Sequence, residues 1–332
     1  MSADAMRVVS GIQPTGDLHL GNLLGAILRW VRMQDEAECL YFLADLHALT
    51  VYVDPAELHA NIREMAAALI ASGIDPKRSL IYRQSAIPAH AELTWILSGT
   101  ARMGWLNRMT QWKDKAGKNQ EGSSVGLFSY PVLQAADILL YRAELVPVGE
   151  DQLQHLELSR EIARKWNARF DAPAQVFFPE PKGLLTPTRR VMGLDGQAKM
   201  SKSLGNTVEV LEDPKSIWEK LRPAVTDPKR VRRTDPGTPE VCNIYHLHKA
   251  FSTPETVEHV AVQCRTAGWG CIDCKKVLHE SMEKELAPIR ARAKEIAANP
   301  QKMKKDLAAG AAHARSIAAD TMTQVKTKMG LA

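Results

Sequence analysis

The pattern of apolar and polar positions divides the chain into two unlike halves. In the first, short β-rich runs at Arg7 to Ser10, Cys39 to Ala44, Ser79 to Arg83 and Glu144 to Val148 alternate with stretches of helical period. Asp54 followed by Pro55 predicts an N-cap with proline in the first turn, opening an amphipathic helix that runs towards Ser72 and stops at Gly73. Alternation of this kind predicts a parallel sheet covered by helices. Beyond about Thr207 the strand signals fade, and Asp213-Pro214 and Thr253-Pro254 announce further capped helices. The last helical stretch, Ile272 to Met329, is interrupted at Asn299-Pro300, which predicts a helical hairpin. Between the halves, Phe170 to Ala198 carries Pro173, Pro179, Pro181 and Pro187 with little periodicity, and reads as irregular connection.

Length and composition sharpen this picture without redrawing it. A chain of 332 residues favours two domains, and 45% hydrophobic with 24% charged residues is ordinary for a globular protein. Met1 to Val9 lacks a secretory pattern and no run approaches membrane-spanning length, so a cytoplasmic protein that engages no membrane is expected. The net charge of +5 is mild but uneven: Lys229, Arg230, Arg232 and Arg233 cluster, as do Lys302, Lys304 and Lys305. Such runs suit a polyanion or simply a solvated surface, and charge alone does not choose. Of the five cysteines, Cys242, Cys264, Cys271 and Cys274 lie together in the helical half, which in a reducing compartment points to metal rather than disulfides. Cys39, on a predicted strand, reads as packing.

Chemistry enters after the first strand, where Ser10-Gly11-Ile12-Gln13-Pro14-Thr15-Gly16-Asp17-Leu18-His19-Leu20-Gly21-Asn22-Leu23 forms a glycine-rich turn leading into a helix. Glycines let the backbone approach a ligand, and a helix N-terminus offers unpaired N–H groups to an anion. A second element, Lys199-Met200-Ser201-Lys202-Ser203, follows the irregular segment. A third is Gly126 to Tyr141, an apolar helical pattern with one acid, Asp137, inside it; a desolvated carboxylate there needs a partner. Surface placement or a buried ion pair are its bland explanations.

The first two elements together resemble the paired signatures of class I aminoacyl-tRNA synthetases, with His19-Leu20-Gly21-Asn22 in the form of the tryptophan and tyrosine branch. The chain most resembles the tryptophanyl-tRNA synthetases. That resemblance implies a Rossmann-like α/β catalytic domain over residues 1–208 and an all-helical anticodon-binding domain over 209–332. It implies ATP, held with Mg²⁺, at Gln13, Pro14, Thr15, His19, Gly21, Asn22, Gly149, Glu150, Asp151, Val191, Lys199, Met200, Ser201, Lys202 and Ser203. Catalysis would fall to His19, Asn22, Lys115, Lys199 and Lys202. Tryptophan would meet Val9, Gly11, His47, Tyr130, Gln134, Asp137, Ile138, Val146, Val148 and Gln152, with Asp137 accepting from the indole N–H and Tyr130 and Gln152 holding the ammonium. Gln134 stands where the family usually has methionine, and Val9 replaces a common aromatic, so pocket size and hydration are expected to depart from the usual case.

The resemblance further implies tRNA(Trp) as partner and a homodimer. Cys271 and Cys274 form a Cys-x-x-Cys pair while Cys242 and Cys264 stand apart, a spacing compatible with zinc or with an iron–sulfur cluster. It is similar to a subset of the family that carries a four-iron, four-sulfur (4Fe-4S) cluster, which puts iron–sulfur ahead of zinc.

Overall fold

The computed structural model describes residues 6–16, 18–117, 121–172, 175–185, 191–201 and 204–332. Five strands, β1 (Arg7–Ile12), β2 (Glu38–Leu43), β3 (Leu80–Arg83), β4 (Leu145–Val148) and β5 (Lys182–Leu185), form one sheet in the order β3-β2-β1-β4-β5. All the pairings are parallel, and β1 runs in register with β2 from Arg7 opposite Glu38 to Ile12 opposite Leu43. Four of these strands match the expected runs. β5 does not: it lies inside the stretch read as irregular, because Lys-Gly-Leu-Leu is too short to show a period and prolines flank it. An edge strand tolerates both.

Neighbouring side chains on each strand enter opposite cores, as a pleat of period two requires. Val8, Tyr41, Leu43 and Ile81 face one way, into a cluster that includes Ile27 and Leu69 and continues to Ile244, Leu278 and Leu286 in the helical half. Val9, Leu40, Phe42 and Tyr82 face the other way, onto Leu93, Leu139, Ile162, Ala314 and Val325. A parallel sheet buried on both faces explains why the strands read as almost unbroken apolar runs.

The capped helices form as expected. Asp54 accepts from the backbone N–H of Ala56 and Glu57, and its helix runs Pro55–Ala71 before Gly73 turns the chain with φ +115°. Asp213 and Thr253 cap Pro214–Leu221 and Pro254–Arg265 in the same way. From Pro214 onward the described residues hold helices and no named strand.

The final pair departs from a simple hairpin. The chain breaks at Asn299 as expected, between Cys271–Ala298 and Pro300–Met329, but each helix takes a different partner. Arg292 of the first donates to the Ala71 carbonyl at 2.5 Å. The second returns to the sheet, with Gly310 packed against the backbone of Ile81 on β3 and Arg315 donating to the Ala86 carbonyl. Periodicity marked both helices; the packing partner of each is a tertiary matter that periodicity does not carry. No described helix is long and apolar enough to cross a membrane.

Candidate active site

The strand order reverses between β1 and β4, and in open parallel sheets ligands bind outside the carboxyl ends of the strands at such a switch point. The turn leaving β1 lies there. Leu18 and Leu20 are tied to the segment after the lysine-rich element by Val210 N–H to Leu18 O at 2.8 Å and Leu20 N–H to Val208 O at 2.9 Å. These two bonds join elements far apart in sequence. His19 then caps the short helix Leu20–Asn22, its backbone N–H donating to Asn22 Oδ1 at 3.3 Å, and its ring lies so close to Gly21 that a Cβ there would stand 2.9 Å away.

The lysine-rich segment is shaped by its own bonds. Met200 N–H donates to Val191 O at 3.0 Å, and Asn206 accepts from Ser201 N–H at 2.8 Å while donating to Asp195 at 2.9 Å. As a result Gln13, Thr15, His19, Asn22, Lys199, Met200 and Ser201 line one cavity of about 460 Å³. Pro14 and Thr15 front a neighbouring one. Lys202 and Ser203 lie outside the described residues.

A second cavity, about 490 Å³, opens at the ends of β1, β2 and β4. Its walls include Val9, Gly11, His47, Lys115, Tyr130, Gln134, Asp137, Ile138, Val146, Val148, Gly149 and Gln152, so every residue expected to meet tryptophan is on it. Gly11 is required: a Cβ would stand 2.5 Å from the Phe42 ring. Glu150 and Asp151 sit on the exposed turn beyond β4 and do not line the wall. Ile12 and Gln13 belong to both cavities, so the two open into each other.

Asp137, on the Val125–Leu139 helix, is 2% exposed and accepts three hydrogen bonds from side chains. Its Oδ2 accepts from His47 Nε2 at 2.7 Å, and its Oδ1 from Gln84 Nε2 at 2.7 Å and His90 Nδ1 at 2.6 Å. Burial works against the ionised form, but the charge and hydrogen bond of His47 and the same from His90 outweigh it and lower the carboxyl to about 2. Nearby, burial pushes the Tyr130 phenol up to about 12 and His155 down to about 4. Both are neutral near pH 7, and the Tyr130 hydroxyl and His155 Nε2 share a hydrogen bond of 2.8 Å. Lys115 Nζ rides over the Tyr130 ring at 5.9 Å.

Gln84, His90 and His155 carry no motif and were missed by sequence reasoning. Their nearest signal is chemical: a buried acid demands donors, without saying from where.

A family described as "tRNA synthetases class I (W and Y)" matches residues 1–287. The chain is 49% identical over 329 residues to a tryptophan–tRNA ligase of Deinococcus radiodurans, covering 98% of both chains. It is 43% identical to one of Thermotoga maritima, covering 98% of this chain and 99% of the relative. A crystal structure of tryptophanyl-tRNA synthetase from Campylobacter jejuni complexed with ADP and tryptophan superposes with TM-score 0.88 at 38% identity, covering 98% and 100% of the two chains. The chain belongs to the class I tryptophan–tRNA ligases.

For a member of that family the two departures now have positions. Gln134 donates to Gln152 Oε1 at 3.4 Å, a long bond that gives its amide a partner within the wall, and Val9 is part of the same wall at 1% exposure.

The four cysteines of the helical half line a small cavity of about 20 Å³ together with Arg230 and Trp269, room for about one water-sized group. Burial raises the thiols of Cys242, Cys264 and Cys274, the last to about 12, and each is raised further by its neighbours' negative charge. Among the described residues no group of three or more His, Cys, Asp or Glu side chains is set in a metal-holding arrangement. Arg230 belongs to this cavity rather than to a solvated basic run, its guanidinium reaching Cys264 Sγ at 3.9 Å and the carbonyls of Arg233 and Trp269.

Proposed function

We propose that the joined crevice carries out the two half-reactions of tryptophan–tRNA ligation. First, the tryptophan carboxylate attacks the α-phosphorus of ATP; the new O–P bond forms as the bond to pyrophosphate breaks, leaving tryptophanyl-adenylate. No protein base is needed, since the nucleophile is already an anion, and the chain supplies alignment and opposite charge. In this reading the turn from Gln13 to Asn22 cradles the phosphates. Lys115, Lys199 and Lys202 oppose the charge that grows on pyrophosphate, and Mg²⁺ arrives with ATP. Gly149, Glu150 and Asp151 hold the adenosine part. Tyr130 and Gln152 take the ammonium, Val9, Gly11, Ile138, Val146 and Val148 wall the ring, and Asp137 accepts from the indole N–H. A terminal ribose hydroxyl of tRNA(Trp) then attacks the adenylate carbonyl, and AMP leaves.

One observation carries this reading: Ile12 and Gln13 line both cavities, so a buried anionic acceptor and a cationic cradle stand at opposite ends of one crevice. Pyrophosphate exchange tests it. Exchange with tryptophan and its reduction by about 10- to 150-fold in Asp137→Ala are expected, since a hydrogen bond to a charged group contributes about 1.5–3 kcal/mol. Exchange with tyrosine alone would overturn the assignment.

The domain boundary is taken near residue 208, with 209–332 facing the anticodon and exposed Lys302, Lys304 and Lys305 offered to tRNA phosphates in the cytoplasm. Two copies are proposed to pair, a contact that would cover exposed apolar side chains such as Trp95 and Met103. Sedimentation that finds only a 36.7 kDa species at micromolar concentration contradicts pairing.

Cys242, Cys264, Cys271 and Cys274 are proposed to hold a structural metal, iron–sulfur first. Support comes from the all-sulfur donor set gathered on one cavity and from its burial, which makes bare thiolates costly unless a cation neutralises them. When bound, the group would tie the helices of this half together. Anaerobically purified protein should be brown and release acid-labile sulfide. The small cavity favours a single zinc ion as the second reading, and a colourless sample with one zinc per chain would establish that instead.

A further inference from the structure

Asp137 is supplied with more donors than a ligand site alone requires. An ionised carboxylate has about four acceptor sites, two on each oxygen. Oδ1 is filled by Gln84 Nε2 and His90 Nδ1, while among the described residues Oδ2 receives only His47 Nε2. His47 lines the crevice; Gln84 and His90 do not, and both are fully buried. One acceptor site is left, on the oxygen that shares a partner with the cavity wall.

We propose that Gln84 and His90 are positioning residues for selection of tryptophan: by filling Oδ1 from behind, they turn the free lone pair of Oδ2 towards the substrate's ring N–H. This inference rests on the reading of Asp137 as the indole acceptor. Each donor is itself held in one orientation. Gln84 Oε1 accepts from Leu46 N–H at 3.1 Å, so flipping the amide would aim an oxygen at the carboxylate and an NH₂ at another donor. The turn Gln84–Ala86 that presents it is pinned by Asp45, which accepts from Ser85 N–H at 2.9 Å. His90 donates through Nδ1, because the ionised carboxylate only accepts, and its Nε2 meets the Tyr141 hydroxyl at 2.9 Å. The Tyr141 phenol is kept protonated by burial and can donate there.

The contribution of a fixed lone pair should be visible only with a substrate that has an N–H to offer. The test therefore compares tryptophan with β-(3-benzothienyl)alanine, an isostere whose ring carries sulfur in place of N–H, in pyrophosphate exchange. His90→Leu is expected to lower kcat/KM for tryptophan about 10- to 100-fold through KM, the size of one charge-assisted bond. The isostere and the KM for ATP should change little, so the preference for tryptophan collapses. His90→Asn, whose amide nitrogen replaces Nδ1, should restore most of it. Tyr141→Phe and Gln84→Met should shift the preference in the same direction, which keeps the test alive if His90→Leu does not fold. Equal losses for both substrates across these variants, or no rescue by asparagine in a folded protein, would overturn the positioning role. If Asp137→Ala also leaves the preference intact, the acceptor assignment itself fails. If Asp137→Ala abolishes the preference and the positioning variants do not, only the present inference fails.

Discussion

His155 is a residue that burial holds in its neutral form. With its pKa lowered from 6.5 to about 4 by burial, it stays neutral near pH 7 while its Nε2 shares a hydrogen bond with the Tyr130 hydroxyl. A depressed pKa in the folded chain means that the stabilisation is complete above the unfolded value near 6.5 and is lost as pH falls towards about 4. The shift corresponds to at most about 3 kcal/mol. Thermal melting between pH 7 and 4 should fall more steeply for the natural chain than for His155→Gln, which has no proton to gain; parallel curves would refute the linkage. Residues of this kind were the least legible in the sequence. Asp137 stood out as an acid within an apolar helix, but Gln84 and His90 lie 53 and 47 positions away and meet it only once the sheet has formed.

At the level of elements, legibility followed local chemistry. Asp54, Asp213 and Thr253 announced their helices because a cap is a bond between near neighbours, and β1 to β4 announced themselves by apolar runs. β5 and the course of the last helix were hidden because their reasons lie on other elements. Gly310 illustrates this: it reads as a weak spot in a helix, yet a Cβ there would stand 2.3 Å from the Ile81 carbonyl oxygen, which belongs to the backbone of β3 and cannot swing aside. Gly310→Ala should therefore destabilise by about 1–3 kcal/mol despite alanine's better helix propensity. Urea denaturation measures it, and an unchanged or raised midpoint would contradict the packing described.

On the scale of the whole molecule, the apolar cluster on one sheet face runs without a break into the helical half, from Val8 and Leu69 to Leu278 and Leu286. Polar stitches follow the same route. Asn243, next to Cys242, donates to the Gly193 carbonyl at 2.7 Å, and Val225 N–H donates to Leu194 O at 3.1 Å. Asn243→Ala leaves that buried carbonyl without this donor, and the KM for ATP in exchange should rise about 5- to 10-fold while that for tryptophan holds, consistent with the cost of an unmade buried bond. A rise confined to tryptophan would speak against it. The stitch also sets a mechanical relation between segments far apart in the sequence. The helix that starts at Asn243 is rooted beside the sulfur-lined cavity, and Gly193 lies in the segment that presents Lys199. Any shift of that root is passed through this bond to the segment whose Lys199 walls a cavity with His19 and Asn22.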